Sequence, residues 1–421
     1  MKSPSLSSSS SFAGSGNVIT RLMKNTVMRQ LVGLQRGYLV VSCDGQRYEF
    51  GQSGATPAGE VTITSPQFWS LVATRGSIGA GEAYIHGYWH SSELTKVVQV
   101  LAANLDALDA LEGGLATVAR PFLQSLHWLN RNTRNGSRRN ISAHYDLGNG
   151  LFEHMLDPTM MYSAALFSNP EDTLEQAQLR KLERICQKLD LQPEDHLLEI
   201  GTGWGSMALY AASHFGCRVT TTTLSKEQFA YTQSRIRELG LEAKVTLLLE
   251  DYRDLTGTYD KLVSIEMVEA VGHEHLSTYF AQCSQLLKDD GLMLLQSITI
   301  RDQRYEQARH SVDFIQRYIF PGGALPSVTK LMEVICQETD MTLHHMEEMG
   351  RSYARTLKLW HNNLQEHRDA LTALGYDETF FRLWEFYLCY CEGGFLEHTI
   401  GTSQLLLAKP QARQETFGLS A

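Results

Sequence analysis

The sequence predicts an α/β fold with a mostly parallel sheet, preceded by a smaller α+β domain. A buried-strand pattern at residues 197–200 runs into a turn at 201–205 that contains three glycines, and a helical run follows. Strand and helix patterns then alternate from residue 217 to residue 300. Because parallel strands need crossover connections, this alternation favours a sheet with helices on both faces.

The N-terminal part shows short helix and strand patterns without a catalytic constellation. Residues 18–35 carry apolar side chains at near-helical spacing with basic residues between them, which predicts an amphipathic helix. That helix fits either a bilayer surface or packing on its own domain. The other predicted elements here are a hairpin at 38–50, a strand at 60–64, helices at 68–73 and 94–111, and a loop at 81–89.

The C-terminal part reads as alternating elements followed by a long helical region. Aromatic residues are dense between residues 353 and 396, and they fit either core packing or a hydrophobic lid over an apolar substrate. The predicted helices are 174–189, 226–239, 274–287, 327–338 and 353–396, and the predicted strands are 217–223, 244–249, 259–265, 291–300, 341–346 and 403–409.

Charge is distributed unevenly along the chain. Residues 1–140 hold 13 Lys and Arg against 8 Asp and Glu, whereas the remainder holds 24 against 39. Arginines cluster beside Phe122 and Trp128, an arrangement that suits the phosphates of an anionic membrane surface. We predict no nucleic-acid partner, because no recognition motif accompanies these arginines and the rest of the chain is acidic.

The composition and the cysteine positions limit which class of protein this chain can belong to. With 43% hydrophobic and 20% charged residues, the chain is an ordinary globular protein, and no apolar run of about 20 residues predicts a membrane span. Seven scattered cysteines without paired ligand spacings predict reduced thiols, a cytoplasmic location and no metal site. The predicted organisation is a disordered tail (1–17), a small domain (18–118), a basic linker (119–139), a catalytic domain (140–410) and a tail (411–421).

The glycine turn predicts a site for a nucleotide-like cofactor. Glycines allow a close approach to the backbone, and free N–H groups at the following helix start favour electron-rich groups. A dinucleotide fits poorly, because Trp204 alone separates Gly203 from Gly205 and the next strand ends in threonines instead of an acid. Gly201-x-Gly203-x-Gly205 after an acid-ending strand resembles the first motif of class I S-adenosylmethionine-dependent methyltransferases.

Eight motifs follow one another along the C-terminal part of the chain. They are His144-Tyr145-Asp146-Leu147, Met161-Tyr162-Ser163, residues 199–205, residues 223–228, Tyr252-Arg253-Asp254-Leu255, residues 269–273, residues 318–323 and residues 387–391. Together they resemble the cyclopropane-fatty-acyl-phospholipid synthases and the related mycolic acid methyltransferases. The resemblance runs from about residue 139 to residue 410 and implies a Rossmann-like, seven-stranded, mostly parallel sheet with a helical lid. The preceding small domain resembles the N-terminal lipid-associated domain of the bacterial synthases.

The resemblance implies which residues hold S-adenosylmethionine. A threonine and a glutamine at the end of the second strand take the place of the missing ribose acid. The implied contacts are Tyr162, Ser163, Gly201, Gly203 and Gly205, then Thr223, Leu224 and Gln228 near the ribose and methionine, and Asp251 with Tyr252 near the adenine.

The resemblance also implies the reaction, which is methylene transfer to a cis double bond of a phospholipid acyl chain. An alkene is a weak nucleophile, so the site must align it and exclude water from the carbocation that follows. In the family a bound bicarbonate then removes a proton. Here Glu269 and Tyr387 match its side-chain ligands, and Ile298 falls where a backbone contact is expected.

Two positions depart from the family pattern. Gln296 stands where the family has a histidine, and Ala164 stands where it has a cysteine, whose backbone contribution an alanine retains. Gln296 can exchange hydrogen bonds with bicarbonate but carries no charge. Weaker deprotonation would favour a methyl-branched or methylene-bearing chain. Glu266 lies close to Glu269, and it fits either a solvated or helix-terminal charge or one half of a carboxylate pair with a raised pKa.

Three functions therefore follow from the sequence. The first is a cyclopropane-fatty-acyl-phospholipid synthase acting at the inner face of the membrane on unsaturated phospholipids. The second is a C-methyltransferase of unsaturated acyl chains that leaves no ring. The third is a catalytically poor lipid-binding relative. Family analogy favours a homodimer.

Overall fold

A computed structural model of the protein describes residues 18–106, 108 and 148–413. The predicted tail at 1–17, the basic linker at 119–139 and the motif at 144–147 lie outside the described residues. Of the predicted tail at 411–421, only the first three residues are described.

The first described segment is a small α+β unit, as predicted. Its sheet has the strand order β2-β1-β3-β4, in which β1 pairs antiparallel with β2 and parallel with β3. In strand β1 the side chains of Leu39, Val41 and Cys43 lie on one face and belong to the hydrophobic core that also contains side chains of the helices of this unit. The elements are α1 (Val18–Val32), β1 (Tyr38–Cys43), β2 (Gln46–Gly51), β3 (Ala58–Ile63), α2 (Gln67–Ile85), β4 (Trp89–His90) and α3 (Leu94–Ala102).

Two predictions for this unit were wrong. The predicted loop at 81–89 is helical up to Ile85, with a kink at Gly76 earlier in α2. Gly81 is needed there for close packing, since a Cβ on it would come within 2.4 Å of the Phe314 ring. The predicted helix at 94–111 is interrupted after Ala102, because the Asn104 side chain bonds to the backbone of residues 35, 36 and 100.

The second described segment contains the predicted parallel sheet. Within the described residues this sheet has seven strands in the order β10-β11-β9-β8-β5-β6-β7. The five strands from β5 to β9 run parallel, β11 pairs antiparallel with β9, and β10 pairs antiparallel with β11, so β11 is the one described strand of this sheet that runs against the other six. The strands are β5 (His196–Ile200), β6 (Arg218–Thr222), β7 (Val245–Leu248), β8 (Tyr259–Ile265), β9 (Leu287–Ile300), β10 (Thr342–Glu348) and β11 (Ile400–Ala408).

Helices cover both faces of this sheet, and strand periodicity assigns each side chain to a face. Neighbouring residues Leu197 and Leu198 belong to different core clusters, as do Leu294 and Leu295, because successive strand residues point to opposite faces. One face packs against α5, α6 and α7, and the other against α8 and α11. The α-helices between residues 148 and 338 are α4 (Asn149–Met155), α5 (Leu174–Lys188), α6 (Ser206–Tyr210), α7 (Lys226–Glu238), α8 (Leu276–Leu286), α9 (Asp302–Ala308), α10 (Phe314–Tyr318) and α11 (Val328–Glu338).

The aromatic region forms three helices in place of the one helical run that was predicted. They are α12 (Gly350–Glu366), α13 (Arg368–Ala373) and α14 (Glu378–Leu396), and Gly375 with φ +102° lies in the turn before α14. Helix α14 packs against α2, α3 and α12, so the small unit and the helical region share one hydrophobic core. Trp360 and Trp384 are fully buried in it, which confirms the core-packing interpretation for these two rings.

Candidate active site

A cavity of about 1020 Å³ opens beyond the carboxyl ends of the parallel strands, where ligands of such sheets are expected. It continues from the sheet into the small N-terminal unit. The lining includes the predicted site residues Tyr162, Ser163, Gly201, Gly203, Thr223, Leu224, Gln228, Tyr252, Glu269, Ile298 and Tyr387; the predicted residues Ala164, Gly205, Asp251 and Gln296 are outside that lining.

The glycine turn gives the cavity one open wall. Gly203 has φ +54°, and a Cβ on it would meet no atom within 4 Å. Gly205 has φ +91° and lies against the helix behind the turn, where a Cβ would come within 2.7 Å of Thr232 Cγ2. The first of these glycines therefore keeps space for a ligand, whereas the second allows close packing of α6 on α7.

Buried hydroxyls connect the ends of β5 and β6. Thr221 Oγ1 donates to Glu199 Oε2 at 2.6 Å, so Thr202 donates in turn to Thr221 over 2.6 Å. Burial raises the pKa of Glu199 to about 8. At the end of β6, Thr223 Oγ1 donates to Gln228 Oε1 at 2.8 Å, which holds the two predicted ribose and methionine contacts together.

The predicted adenine contacts separate in the structure. Tyr252 lines the cavity together with Glu250. Asp251 is buried, and its two carboxylate oxygens accept hydrogen bonds from Arg253 at 2.8 and 2.6 Å. Asp251 therefore orders the turn that carries Tyr252.

Two carboxylates face the middle of the cavity. Glu266 Oε1 accepts hydrogen bonds from the Ala164 N–H at 3.0 Å and from Gln296 Nε2 at 2.8 Å. Glu269 Oε1 accepts from Ser297 Oγ at 2.9 Å and from the Ile298 N–H. Burial, together with the charge of Glu266, raises the pKa of Glu269 to about 8. The carboxylate-pair interpretation of Glu266 thus matches its position better than that of a solvated or helix-terminal charge.

Aromatic side chains line the cavity beside the carboxylates. The Tyr162 and Tyr387 hydroxyls lie 3.0 Å apart, and the Tyr162 ring is 5.1 Å from the Trp360 ring. Tyr353 and Phe320 complete this part of the lining. Electron-rich ring faces stabilise a cation and keep water away from it.

Sequence reasoning missed three polar residues that organise the site, namely Gln178, Lys181 and Tyr353. Gln178 Nε2 donates to the carbonyls of Met161 and Ser163, and Lys181 Nζ donates to Ser163 Oγ at 2.6 Å. Burial lowers the pKa of Lys181 to about 7. The sequence could have revealed Gln178 and Lys181, because the helical periodicity places these two polar residues on the same face of α5 as its buried apolar residues.

The residues present fit S-adenosylmethionine. Gly203 leaves space against the backbone, the Tyr252 ring lines the cavity, and the carboxylates of Glu199 and Glu250 are acceptors suited to ammonium and hydroxyl groups. The donors expected to hold bicarbonate, the N–H groups of residues 164 and 298, already donate to carboxylates of the chain itself. Two of the donors implied for bicarbonate are therefore already occupied by Glu266 and Glu269.

The family model described as mycolic acid cyclopropane synthetase matches residues 132–405, which is more than half of the chain. The chain belongs to the mycolic acid cyclopropane synthetase family. Members of the family have the S-adenosylmethionine-dependent methyltransferase fold, which confirms the fold class predicted from the motifs.

Two curated relatives cover most of this family member. The tuberculostearic acid methyltransferase UfaA1 of Mycobacterium tuberculosis is 41% identical over 342 residues, which is 77% of each chain. The cyclopropane-fatty-acyl-phospholipid synthase of Escherichia coli strain K12 is 35% identical over 359 residues, covering 85% of this chain and 89% of that one.

Solved structures of the cyclopropane synthetase family superimpose on the catalytic part. The cyclopropane synthase MmaA2 from Mycobacterium tuberculosis gives a TM-score of 0.61 at 34% identity, covering 65% of this chain and 98% of that one. The mycolic acid cyclopropane synthase CmaA1, complexed with SAH and CTAB, gives 0.60 at 32% identity with the same coverage.

Proposed function

We propose that this protein transfers a methylene unit from S-adenosylmethionine to the cis double bond of an unsaturated phospholipid acyl chain and closes a cyclopropane ring. The observation that carries this proposal is the cavity, which joins the glycine turn, the carboxylate pair and an apolar channel in one space. The channel walls in the small unit are apolar side chains, among them Val27, Leu31, Val97 and Leu101.

The chain's residues prepare the double bond for reaction. When bound, S-adenosylmethionine supplies an electrophilic methyl group. The apolar channel holds the acyl chain and excludes water, so the carbocation left on the lipid is not trapped by hydroxide. The aromatic wall of Tyr162, Phe320, Tyr353 and Tyr387 faces that cation. A carboxylate then accepts a proton, while the electrons of the broken C–H bond close the ring.

Helix α1 connects this channel with a lipid surface. Val18, Ile19 and Leu22 are 82%, 57% and 61% exposed, and the basic residues Arg21 and Lys24 lie beside them in the sequence. Farther along the same helix, Val27 and Leu31 line the cavity. We therefore propose an anionic membrane surface as the partner and peripheral binding at the inner face of the membrane as the location. No helix among the described residues is both long and apolar enough to cross a membrane.

A second product is favoured by one specific observation. Gln296 carries no charge, and the 41% identical relative is named a methyltransferase. A hydride shift that moves the cation to the carbon bearing the added methyl, followed by loss of a proton from that methyl, would give a methylene-bearing chain. Loss of a proton from a chain carbon would instead give a methyl-branched unsaturated chain. Both products gain one CH2 and release one proton.

The test uses purified full-length protein, S-adenosylmethionine and vesicles of a cis-monounsaturated phosphatidylglycerol. Mass spectrometry of the released fatty acids should show a gain of one CH2, and proton NMR should show high-field cyclopropane signals. Olefinic or branched-methyl signals at the same mass would establish the second product. Absence of any mass gain, with vesicles of saturated lipid as the matched blank, would refute alkene alkylation.

A further inference from the structure

Glu266 occupies a set of donors that converge on one point of the cavity wall. Its Oε1 accepts the Ala164 N–H at 3.0 Å and Gln296 Nε2 at 2.8 Å, and the Tyr353 hydroxyl also bonds to its carboxylate. Two donors on one oxygen stabilise the ionised form of a carboxylate. Because this carboxylate is supplied by the chain, these donors are not free to hold an anion from solution.

A buried relay fixes the direction of the Gln296 amide. Lys188 Nζ, which can only donate, bonds to Gln404 Oε1 at 2.7 Å. Gln404 must therefore present its NH2 to Gln296 Oε1, over 3.0 Å. The Gln296 NH2 is then directed at Glu266. This chain of hydrogen bonds makes the uncharged residue 296 a fixed donor to a carboxylate.

The backbone conformation of Glu266 is independent evidence that the surrounding structure fixes this residue in place. Glu266 has φ +50°, in the left-handed region that favours glycine. A non-glycine residue there costs of order 1–3 kcal/mol and persists only where its surroundings hold it. With this backbone conformation, the Glu266 carboxylate lies on the cavity wall beside Glu269.

We infer that Glu266 is the catalytic base that removes the proton after methyl transfer, in place of an external bicarbonate. The inference rests on the proposed function and names the base of that same site. The C–H electron pair of the added methyl forms the third ring bond, the proton moves to a Glu266 oxygen, and the carboxylate becomes a neutral acid. The proton leaves to solvent when product departs, so atoms and charges balance without a further reactant.

Glu269 is less suited to the role, although it lies beside Glu266. Burial and the charge of Glu266 raise its pKa to about 8, which favours its protonated form. The pKa of Glu266 is also raised by burial, but Lys181, Gln296, Tyr353 and the residue 164 amide oppose that rise. Two adjacent carboxylates resist double ionisation, and the Lys181 charge together with these donors favours the ionised form of Glu266.

The test compares wild type, Glu266→Gln and Glu266→Gly in carbonate-free buffer with and without added bicarbonate. Glycine suits φ +50°, so the second variant removes the carboxylate without backbone strain. We expect wild-type turnover to be independent of bicarbonate, and kcat to fall at least 100-fold in both variants with KM for the vesicles within threefold. Bicarbonate or acetate should restore part of the activity only in Glu266→Gly, whose site has space for an anion. The exposed Glu194→Gln is the matched control.

A calorimetric titration with bicarbonate supplies a readout that needs no turnover. With S-adenosylhomocysteine present, wild type should give no binding heat and Glu266→Gly should bind bicarbonate. Saturable binding to wild type, a bicarbonate-dependent wild-type rate, or full activity in Glu266→Gln would each overturn the inference. If wild type alkylates no vesicle lipid, the proposed function fails, and the titration alone decides whether Glu266 excludes the anion.

Discussion

Alanine substitutions at two glycines of the cofactor turn should affect different properties, one mainly the stability of the fold and the other mainly the affinity for the cofactor. Gly205→Ala places a methyl 2.7 Å from Thr232 Cγ2 at φ +91°. The left-handed backbone costs about 1–2 kcal/mol and the overpacking about 1–3 kcal/mol, so we expect a loss of about 2–5 kcal/mol. Gly203→Ala has φ +54° and nothing within 4 Å, so it should lose only about 1–2 kcal/mol.

For cofactor affinity the larger effect should come from Gly203→Ala, the variant with the smaller loss of stability. The methyl of Gly203→Ala enters the space assigned to the cofactor, so the Kd for S-adenosylhomocysteine should rise at least about tenfold, which is ~1.4 kcal/mol. Gly205→Ala should bind with a smaller change once its folded fraction is counted. Differential scanning fluorimetry and isothermal titration calorimetry measure the two effects separately.

Either of two results would refute this reasoning. A wild-type Kd in Gly203→Ala would show that the open face of the turn does not contact the cofactor. Equal thermal midpoints for the two variants would show that the contact between residues 205 and 232 relaxes without cost.

Three further predictions concern stability. The pKa of Glu199 rises from 4.5 to about 8 on folding, so the wild-type unfolding free energy should fall as the pH rises between those values, and urea titrations of Glu199→Gln should show a smaller fall. The pKa of Lys181 drops from 10.5 to about 7, so the wild type should gain stability as the pH rises over that range, and thermal midpoints of Lys181→Met should show a smaller gain. Gly393→Ala places a methyl 2.6 Å from Val98 Cγ1 and 2.9 Å from Val98 Cβ, and it should lower the thermal midpoint by several degrees; adding Val98→Gly should recover part of the loss, and no recovery would contradict the packing argument.

Local signals predicted the cofactor half of the site, because its determinants are adjacent in sequence. The glycine turn, the strand before it and the helix after it lie within residues 196–210, and short-range periodicity is enough to place them. The alternation of strands and helices likewise predicted the parallel sheet. These features depend on backbone geometry that each segment largely determines for itself.

The carboxylate half could not be predicted in the same way, because its contacts join distant segments. Glu266 and Ala164 are 102 residues apart, and Gln296 and Gln404 are 108 apart. Burial and partner donors decide whether an acid is a solvated charge or a base, and neither is visible in a local pattern. The helix break after Ala102 escaped prediction for the same reason, since Asn104 bonds to residues 35 and 36 across the small unit.

The relay from Lys188 through Gln404 to Gln296 also limits how this protein can change over evolutionary time. Each amide has one orientation only because its neighbour has one, so a substitution at position 404 reverses or frees the group that faces Glu266. Substitution of residue 188, 296 or 404 alone would leave a buried donor or acceptor without a partner, at about 1–3 kcal/mol. The three positions should therefore vary as a set among homologues, and a homologue with histidine at 296 should carry altered residues at the other two.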